Sequence, residues 1–303
     1  MHRTADISLT ALAPVVWGST YLVTTETLPD GFPLTVAALR ALPAGLLLLV
    51  MTRSLPPRAL FGRLLVLGAL NFAVFWACLF VAAYRLPGGA AATLGALQAL
   101  MVIGFARWFL GTAIQAVSVL AAIFGVLGVA LLLLGSDTGY DLIGILAAIC
   151  GTVSMAAGTV LSRKWQPQVP VLSFTAWQLT AGGLLLLPVA LLAEPSLPPL
   201  TATNLLGLVW LGLIGAAATY GLWLRGIARL GPSPVAMLGM LSPVTAVVLG
   251  WVWLGESLTA VQLAGAAIVL ASIWVGQTAA RRAEIAPATL RGRRGHRAGG
   301  QGR

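Results

Sequence analysis

The chain has 303 residues, of which 59% are hydrophobic and only 9% are charged, and its formal net charge is +10. About a quarter of the residues of a soluble domain are charged, so this composition excludes a water-soluble globular protein and makes the bilayer the solvent. The positive charge does not indicate nucleic-acid binding, because the Lys and Arg residues flank apolar runs or lie in a Gly/Arg-rich tail. We therefore expect an all-α integral membrane protein.

Apolar runs follow one another along the whole chain. Each is close to the roughly 20 residues that a helix needs to cross a bilayer. Turn residues such as Pro29-Asp-Gly31 separate the runs. The pattern predicts ten transmembrane helices, at about residues 8–25, 34–52, 64–83, 89–108, 113–134, 142–162, 171–192, 204–224, 234–253 and 259–278.

The basic residues predict an orientation, because loops rich in Lys and Arg stay on the cytoplasmic side of a membrane. With ten spans both termini lie on one side. Nearly all of the 18 basic residues then fall on that side, with Arg85 on the other and Arg40 inside a span. We predict that residues 1–7 and a basic, disordered tail at 279–303 are both cytoplasmic.

The sequence also contains an internal repeat. The stretch from Tyr84 to Gln98 matches the stretch from Ala228 to Ser242 without a gap, and the same register aligns Gly111 with Gly255. The predicted repeats cover 8–135 and 141–278 with five spans each. An odd number of spans inverts the second copy, and inverted repeats place a substrate site near the bilayer midplane.

Four motifs resemble the EamA family of the drug/metabolite transporter superfamily. They are Trp17-Gly-Ser-Thr-Tyr21, Pro33 followed by Ala-Leu-Arg40, Leu241-Ser-Pro-Val-Thr-Ala246 and Trp253-Leu-Gly-Glu256. The resemblance covers residues 8–278. It implies an inner-membrane carrier, often an exporter of amino acids, metabolites or drugs, whose central cavity is lined by spans 1, 3, 4, 6, 8 and 9.

The two repeats differ at positions that could matter for function. Leu110-Gly-Thr112 stands where the family usually repeats Leu-Gly-Glu, Gln178 mirrors Arg40, and Ala99 is the counterpart of Pro243. We therefore expect the two halves to have different roles.

Arg40 is a candidate substrate-binding residue, because a charge inside a span is unfavourable and commonly functional. In one interpretation it binds a substrate carboxylate; in the other it snorkels to the surface and pairs with Glu26 or Asp30. Glu26 is also the coupling candidate, as the one carboxylate that could lie at membrane depth, or else an interfacial helix end. Glu256 is expected to favour a helix N-terminus.

Polar and aromatic side chains within the spans are further candidates for the cavity wall, where an aromatic group could stack on a substrate. The substrate-binding candidates besides Arg40 are Trp17, Tyr21, Asn71, Trp76, Gln98, Tyr220 and Trp223. Proline interrupts helical hydrogen bonding. The hinge candidates are Gly95, Gly239 and Pro243.

The leading functional hypothesis is a secondary transporter that alternates access between its two halves. A flippase for lipid or polyprenyl phosphate is the harder rival, and an integral-membrane enzyme is a third class. No catalytic constellation, metal-ligand set or cofactor motif occurs in the sequence, and Cys78 and Cys150 form no metal or redox pattern. The expected partners are a small-molecule substrate and membrane lipid, without nucleic acid; a homodimer is left open.

Overall fold

A computed structural model describes residues 2–86, 93–132, 141–255 and 257–298. Its regular elements are helices, and no strand occurs in these ranges. The α-helices are α1 (His2–Thr27), α2 (Pro33–Thr52), α3 (Phe61–Gly68), α4 (Val74–Arg85), α5 (Gln98–Leu110), α6 (Ala116–Leu132), α7 (Leu142–Lys164), α8 (Val171–Ala193), α9 (Ala202–Val209), α10 (Thr219–Leu230), α11 (Pro232–Leu238), α12 (Leu241–Leu254) and α13 (Ala260–Ala298).

Several of these helices join end to end into longer continuous apolar helices. The π-helical segment Ala69–Ala73 joins α3 to α4, and the π-helical segment Trp210–Ala218 joins α9 to α10. Eight helical stretches among the described residues are long and apolar enough to cross a membrane. They are Pro33–Thr52, Arg58–Ala82, Thr93–Leu110, Leu142–Lys164, Val171–Ala193, Ala202–Leu230, Pro232–Leu254 and Ala260–Ala283. The chain is thus a multi-pass membrane protein.

The first and fifth predicted spans are helical but lie outside these eight. Helix α1 has 26 residues, with charged residues near both ends and many hydroxyl side chains between them. Helix α6 is strongly apolar but has only 17 residues, fewer than a helix usually needs to cross the hydrocarbon core. Ten crossings therefore stay a prediction.

Local sequence signals fix several helix ends. The Asp141 side chain accepts hydrogen bonds from the backbone N–H groups of Ile143 and Gly144, and so caps α7. Gly111 and Gly255 end α5 and α12 in the left-handed conformation, with φ of 68° and 69°. Glycine adopts this conformation without the steric cost of a Cβ atom.

A close helix crossing joins α2 and α8. A Cβ atom on Gly45 would lie 2.5 Å from the backbone N of Thr180, and one on Gly183 would lie 2.7 Å from Cα of Leu42. Small residues allow this approach, which stabilises helix pairs in lipid through van der Waals contact. The crossing anchors the largest buried cluster, to which α2, α3, α7, α8 and α10 contribute.

The structure has a helix over most of the segment that the sequence predicts as a disordered tail, residues 279–303. Helix α13 continues from Ala260 to Ala298, past the predicted end of the tenth span at residue 278. The segment after Thr278 begins with Ala, Arg and Glu, which have high helix propensity, so the helical hydrogen bonds continue beyond the apolar part. Glu256 and the middle of the first repeat motif, residues 87–92, lie outside the described ranges.

Candidate functional site

A cavity of about 390 Å³ lies among the helices. Pro29 and Asp30, in the loop between α1 and α2, belong to its wall, so the cavity reaches the end of the molecule at which this loop lies. Its volume falls in the range of small-molecule sites, about 300–1,000 Å³. Nine of the residues singled out in the sequence line it: Trp17, Arg40, Trp76, Gln98, Tyr220, Trp223, Gly95, Gly239 and Pro243.

Arg40 places a positive charge on the wall of this cavity. The residue is only 5% exposed, and its Nη2 donates a hydrogen bond of 2.7 Å to the carbonyl oxygen of Gly215. Its guanidinium also lies over the ring of Trp76, 4.8 Å from the centroid. The carbonyl belongs to the second π-helical segment, a kind of distortion that occurs frequently at functional sites. The side chain is therefore held inside the protein and does not snorkel to the surface.

Aromatic rings form much of the remaining wall. The Trp17 ring lies 4.8 Å from that of Tyr220 and 5.0 Å from that of Trp223, measured between centroids. The Trp17 indole N–H donates to Thr219 Oγ1 at 2.9 Å and approaches the Gly215 oxygen at 3.2 Å. Because these bonds fix the indole, the cavity presents a rigid apolar face beside the Arg40 charge.

Two of the candidates lie off the cavity wall, and the side chain of a third is not described. Asn71 is buried, but it is not on the cavity wall; its amide donates to Ser162 Oγ and Gln178 Oε1 instead. Glu26 is exposed near the end of α1 and also lies off the wall. The side chain of Tyr21 lies outside the described part of the structure.

Two of the hinge candidates, Gly239 and Pro243, lie at a break in the helix between α11 and α12, and Gly95 lies before α5 in the first repeat. Pro243 has no N–H to donate to the Gly239 carbonyl, and the N–H of Ser242 bonds to that oxygen instead, at 3.1 Å. Gly239 and Met240 likewise bond to carbonyls three residues earlier, at 3.1 and 3.2 Å. The tighter turn places the backbone of Gly239 against the cavity.

Some wall residues were missed by the sequence reasoning. Thr24, Thr152 and Met155 carry no signal that separates them from other helix residues, and the sequence singles out Asp30 only as a turn residue and a partner of Arg40. Ser242 could have been found, because the repeat aligns it with Gln98 and both line the cavity. In the described ranges, no group of three or more His, Cys, Asp or Glu side chains could hold a metal ion.

Comparison with known proteins relates the chain to membrane transporters. The sequence profile described as the EamA-like transporter family matches residues 5–134 and again 142–276. The protein PecM of Dickeya dadantii (strain 3937) is 41% identical over 280 residues, which span 91% of this chain and 94% of PecM. These matches extend over both predicted repeats.

More distant relatives cover the chain in the same way. A protein named "Probable amino-acid metabolite efflux pump" from Salmonella typhimurium is 27% identical, over 89% of this chain and 94% of its own length. The inner membrane transporter YedA of Escherichia coli (strain K12) is 28% identical, over 86% and 87%. A solved structure titled only as the crystal structure of a protein has a TM-score of 0.79 at 22% identity, over 93% of this chain and 99% of that one, which shows the shared fold.

Proposed function

Because the chain belongs to the EamA-like transporter family, we propose that it is a secondary transporter that exports small organic solutes by alternating access. The observation that carries this proposal is the cavity among apolar helices, which combines the buried guanidinium of Arg40 with fixed aromatic rings. The cavity volume suits a single small solute.

The chemistry of the wall favours a substrate with an anionic group and an apolar body. The guanidinium of Arg40 can bind a carboxylate through charge-assisted hydrogen bonds. The aromatic rings of Trp17 and Tyr220 can contact the apolar body of the substrate. Amino acids, other metabolites and drugs meet this description, and the relative named as an amino-acid metabolite efflux pump supports the outward direction.

The contacts support a carrier built from two inverted repeats. Gly45 packs on Thr180 while Gly183 packs on Leu42, and a single offset of 138 residues (42 to 180, 45 to 183) exchanges the two contacts. The glycine caps of α5 and α12 and the two π-helical segments are related by the offset of 144 that aligns Gly111 with Gly255. The family profile matches the two halves separately.

The ion pairs of Asp6 and of Asp141 follow the same relation. Asp6 pairs with Arg225 at 2.5 Å and Arg229 at 3.5 Å, and Asp141 pairs with Arg85 at 2.9 Å. Arg85 and Arg229 are repeat partners. The hydrogen bond from Arg85 lowers the pKa of Asp141. This pair therefore stabilises the fold above the ordinary carboxyl pKa, and its contribution disappears as the pH falls through the lowered pKa.

The ion pairs of Asp6 should contribute more to stability than the ion pair of Asp141. Asp6→Asn removes a carboxylate whose side chain is only 10% exposed, and it should lower the free energy of unfolding by about 1–3 kcal/mol. Asp141→Asn keeps an N-cap side chain and affects a pair that is 35–45% exposed, so its effect should be smaller. Melting temperatures of the two detergent-solubilised variants measure the difference; an equal or reversed order would contradict the assignment.

In the proposed cycle, the helix break at Gly239 and Pro243, with Gly95 at the equivalent place in the first repeat, serves as the hinge. Both termini lie in the cytoplasm, and the membrane is the inner one, as for the relative YedA. Glu26, exposed at the end of α1, stays the candidate for proton coupling.

A ligand screen followed by flux measurement tests the function. Purified protein is heated with amino acids, organic anions and cations, nucleosides, sugar phosphates and short polyprenyl phosphates, since a ligand of the folded state raises the melting temperature. Stabilisation by a small solute, followed by its saturable transport into liposomes, is the expected result. Stabilisation by polyprenyl phosphates alone would overturn the proposal in favour of a lipid flippase, and chemical conversion of a ligand would identify an enzyme.

A further inference from the structure

Three polar side chains form a buried cluster outside the cavity wall. Asn71, Ser162 and Gln178 are 3%, 1% and 0% exposed. The Asn71 Nδ2 donates to Ser162 Oγ at 3.0 Å and to Gln178 Oε1 at 2.8 Å, and the Ser162 hydroxyl lies 3.3 Å from the same Gln178 oxygen. Gly158 makes room for the Asn71 amide, whose Oδ1 would lie 2.2 Å from a Cβ at that position.

This cluster is the counterpart of the Arg40 site. Arg40 and Gln178 are each seven residues past the first residue of their helices, α2 and α8, which cross each other. Asn71 lies in the first π-helical segment and Gly215 at the equivalent place in the second, 144 residues later. The hydrogen bonds Arg40–Gly215 and Asn71–Gln178 are therefore one contact repeated in the two halves.

The two counterparts differ in their access to the cavity. Arg40 is on its wall, whereas none of the three cluster residues is. Arg40 lies in the part of α2 near the Asp30 loop, and Gln178 lies near the opposite end, because α2 and α8 are antiparallel. Glu194, after the end of α8, accepts hydrogen bonds from the backbone N–H groups of Leu34 and Thr35 at the start of α2, and Trp177 donates to the Ser54 carbonyl just past the end of α2. Phe72, next to Asn71 in the chain, packs on Trp76 and Tyr220 of the wall.

Gln178 also carries a buried donor without a partner. Its Oε1 accepts from Asn71, but its Nε2 makes no hydrogen bond in the described structure. A buried N–H without an acceptor is unfavourable and is uncommon in folded proteins. In an inverted-repeat carrier, exchange of the conformations of the two halves opens the cavity to the other face. The part of the molecule that contains the cluster, which is closed in this conformation, would then line the cavity.

We propose that Asn71, Ser162 and Gln178 form a second substrate-contact site, which lines the cavity when it opens to the face opposite the Asp30 loop. The inference rests on the proposed function. The Gln178 amide donates to an acceptor on the solute, such as a carboxylate or carbonyl oxygen. Since this site is neutral and the Arg40 site is cationic, an anionic solute binds more weakly when the cavity opens to the face opposite the Asp30 loop.

Thiol accessibility tests the placement of the site. Single cysteines replace Ser162, Thr24 or Thr175 in a chain carrying Cys78→Ser and Cys150→Ser. Vesicles of both orientations are treated with the membrane-impermeant cation trimethylammonium-ethyl methanethiosulfonate. Thr24 lines the cavity near the Asp30 loop and is the positive control for that face. Thr175 is the negative control: it is 0% exposed on the same helix as Gln178, and its hydroxyl donates to the Val171 carbonyl.

We expect the cysteine at 24 to react from one face, the cysteine at 162 only from the other, and the cysteine at 175 from neither. A minor conformation is commonly populated at about 0.1–10%, so position 162 should react about 10 to 1,000 times more slowly than position 24. Reaction of position 162 from the same face as position 24, or at no more than the rate of position 175, would overturn the placement. If position 24 also fails to react in a folded protein, the proposed function fails as well.

Protection from the reagent tests contact with the solute. Pyruvate, glutamate and benzoate are added in turn as acceptor-bearing probes during labelling of the cysteine at 162. We expect at least one of them to slow the reaction, and we expect this protection to be lost when Gln178→Leu is added. Labelling that no probe slows, or protection that survives Gln178→Leu, would contradict a contact between this amide and the substrate. Size-exclusion chromatography of each purified variant, with elution as a single species, checks that the variant folds.

Discussion

Arg40→Gln should reduce transport by about 10- to 100-fold while the protein still folds. Hydrogen bonds to a charged group contribute about 1.5–3 kcal/mol, and each 1.4 kcal/mol changes binding tenfold. Glutamine is neutral and ends two bonds short of the arginine Nη2, so the change removes the charge on the cavity wall together with the hydrogen bond to Gly215. Flux of the stabilising solute in liposomes measures the loss, and the melting temperature without ligand reports folding.

Two further variants separate the charge from the geometry at this position. Arg40→Lys keeps the positive charge but loses the planar guanidinium over Trp76, so transport should fall less than in Arg40→Gln. Arg63→Gln removes an arginine that lies over Trp165, away from the cavity, and should leave transport unchanged. Normal flux in Arg40→Gln would show that the charge does not bind substrate.

Gly183→Ala should lower the free energy of unfolding by about 1–3 kcal/mol, the usual effect of overpacking a close contact. The added Cβ would lie 2.7 Å from the N, Cα and Cβ atoms of Leu42, and two of these belong to the backbone of α2. The clash therefore cannot be relieved by a side-chain rotation, and the two helices must separate. Gly45→Ala should act similarly, because its Cβ would meet the backbone of Thr180.

Gly104→Ala is the matched control. It also adds one methyl group to a helix, but no atom lies within 4 Å of the new Cβ. Alanine is about 1 kcal/mol more favourable than glycine in a helix, so this variant should melt at the same or a higher temperature. A Gly183→Ala protein as stable as Gly104→Ala would contradict the tight α2–α8 crossing.

Much of the membrane architecture could be predicted from the sequence because hydropathy reports it directly. Each of the ten predicted apolar runs overlaps a helix of the structure, and eight helical stretches are long and apolar enough to cross. The runs at 8–25 and 113–134 are not among these eight. Hydroxyl side chains lower the hydropathy of α1, and α6 has too few residues. The start of α7 was predicted well because Asp141 is a good cap. The end of α13 was predicted too early, because residues of high helix propensity continue beyond the apolar segment.

The candidate site was only partly predictable, because a sequence gives the depth of a side chain better than its direction. Trp76 and Asn71 lie five residues apart in one continuous helix, yet only Trp76 is on the cavity wall. The π-helical segment between α3 and α4 changes the direction in which the following side chains point, and no residue pattern predicts such a segment. Asp6 was missed because it precedes the first predicted span, although its partners Arg225 and Arg229 are far along the chain.

Solute counterflow tests the central claim of alternating access most directly. Liposomes that contain the protein and a high concentration of the stabilising solute are diluted into a trace of the same solute carrying a radiolabel. A carrier should accumulate the label transiently inside, with saturable kinetics, and Arg40→Gln should lose this accumulation. Label uptake that rises linearly with concentration and never overshoots would indicate a channel, and binding without any uptake would show that the cavity does not transport.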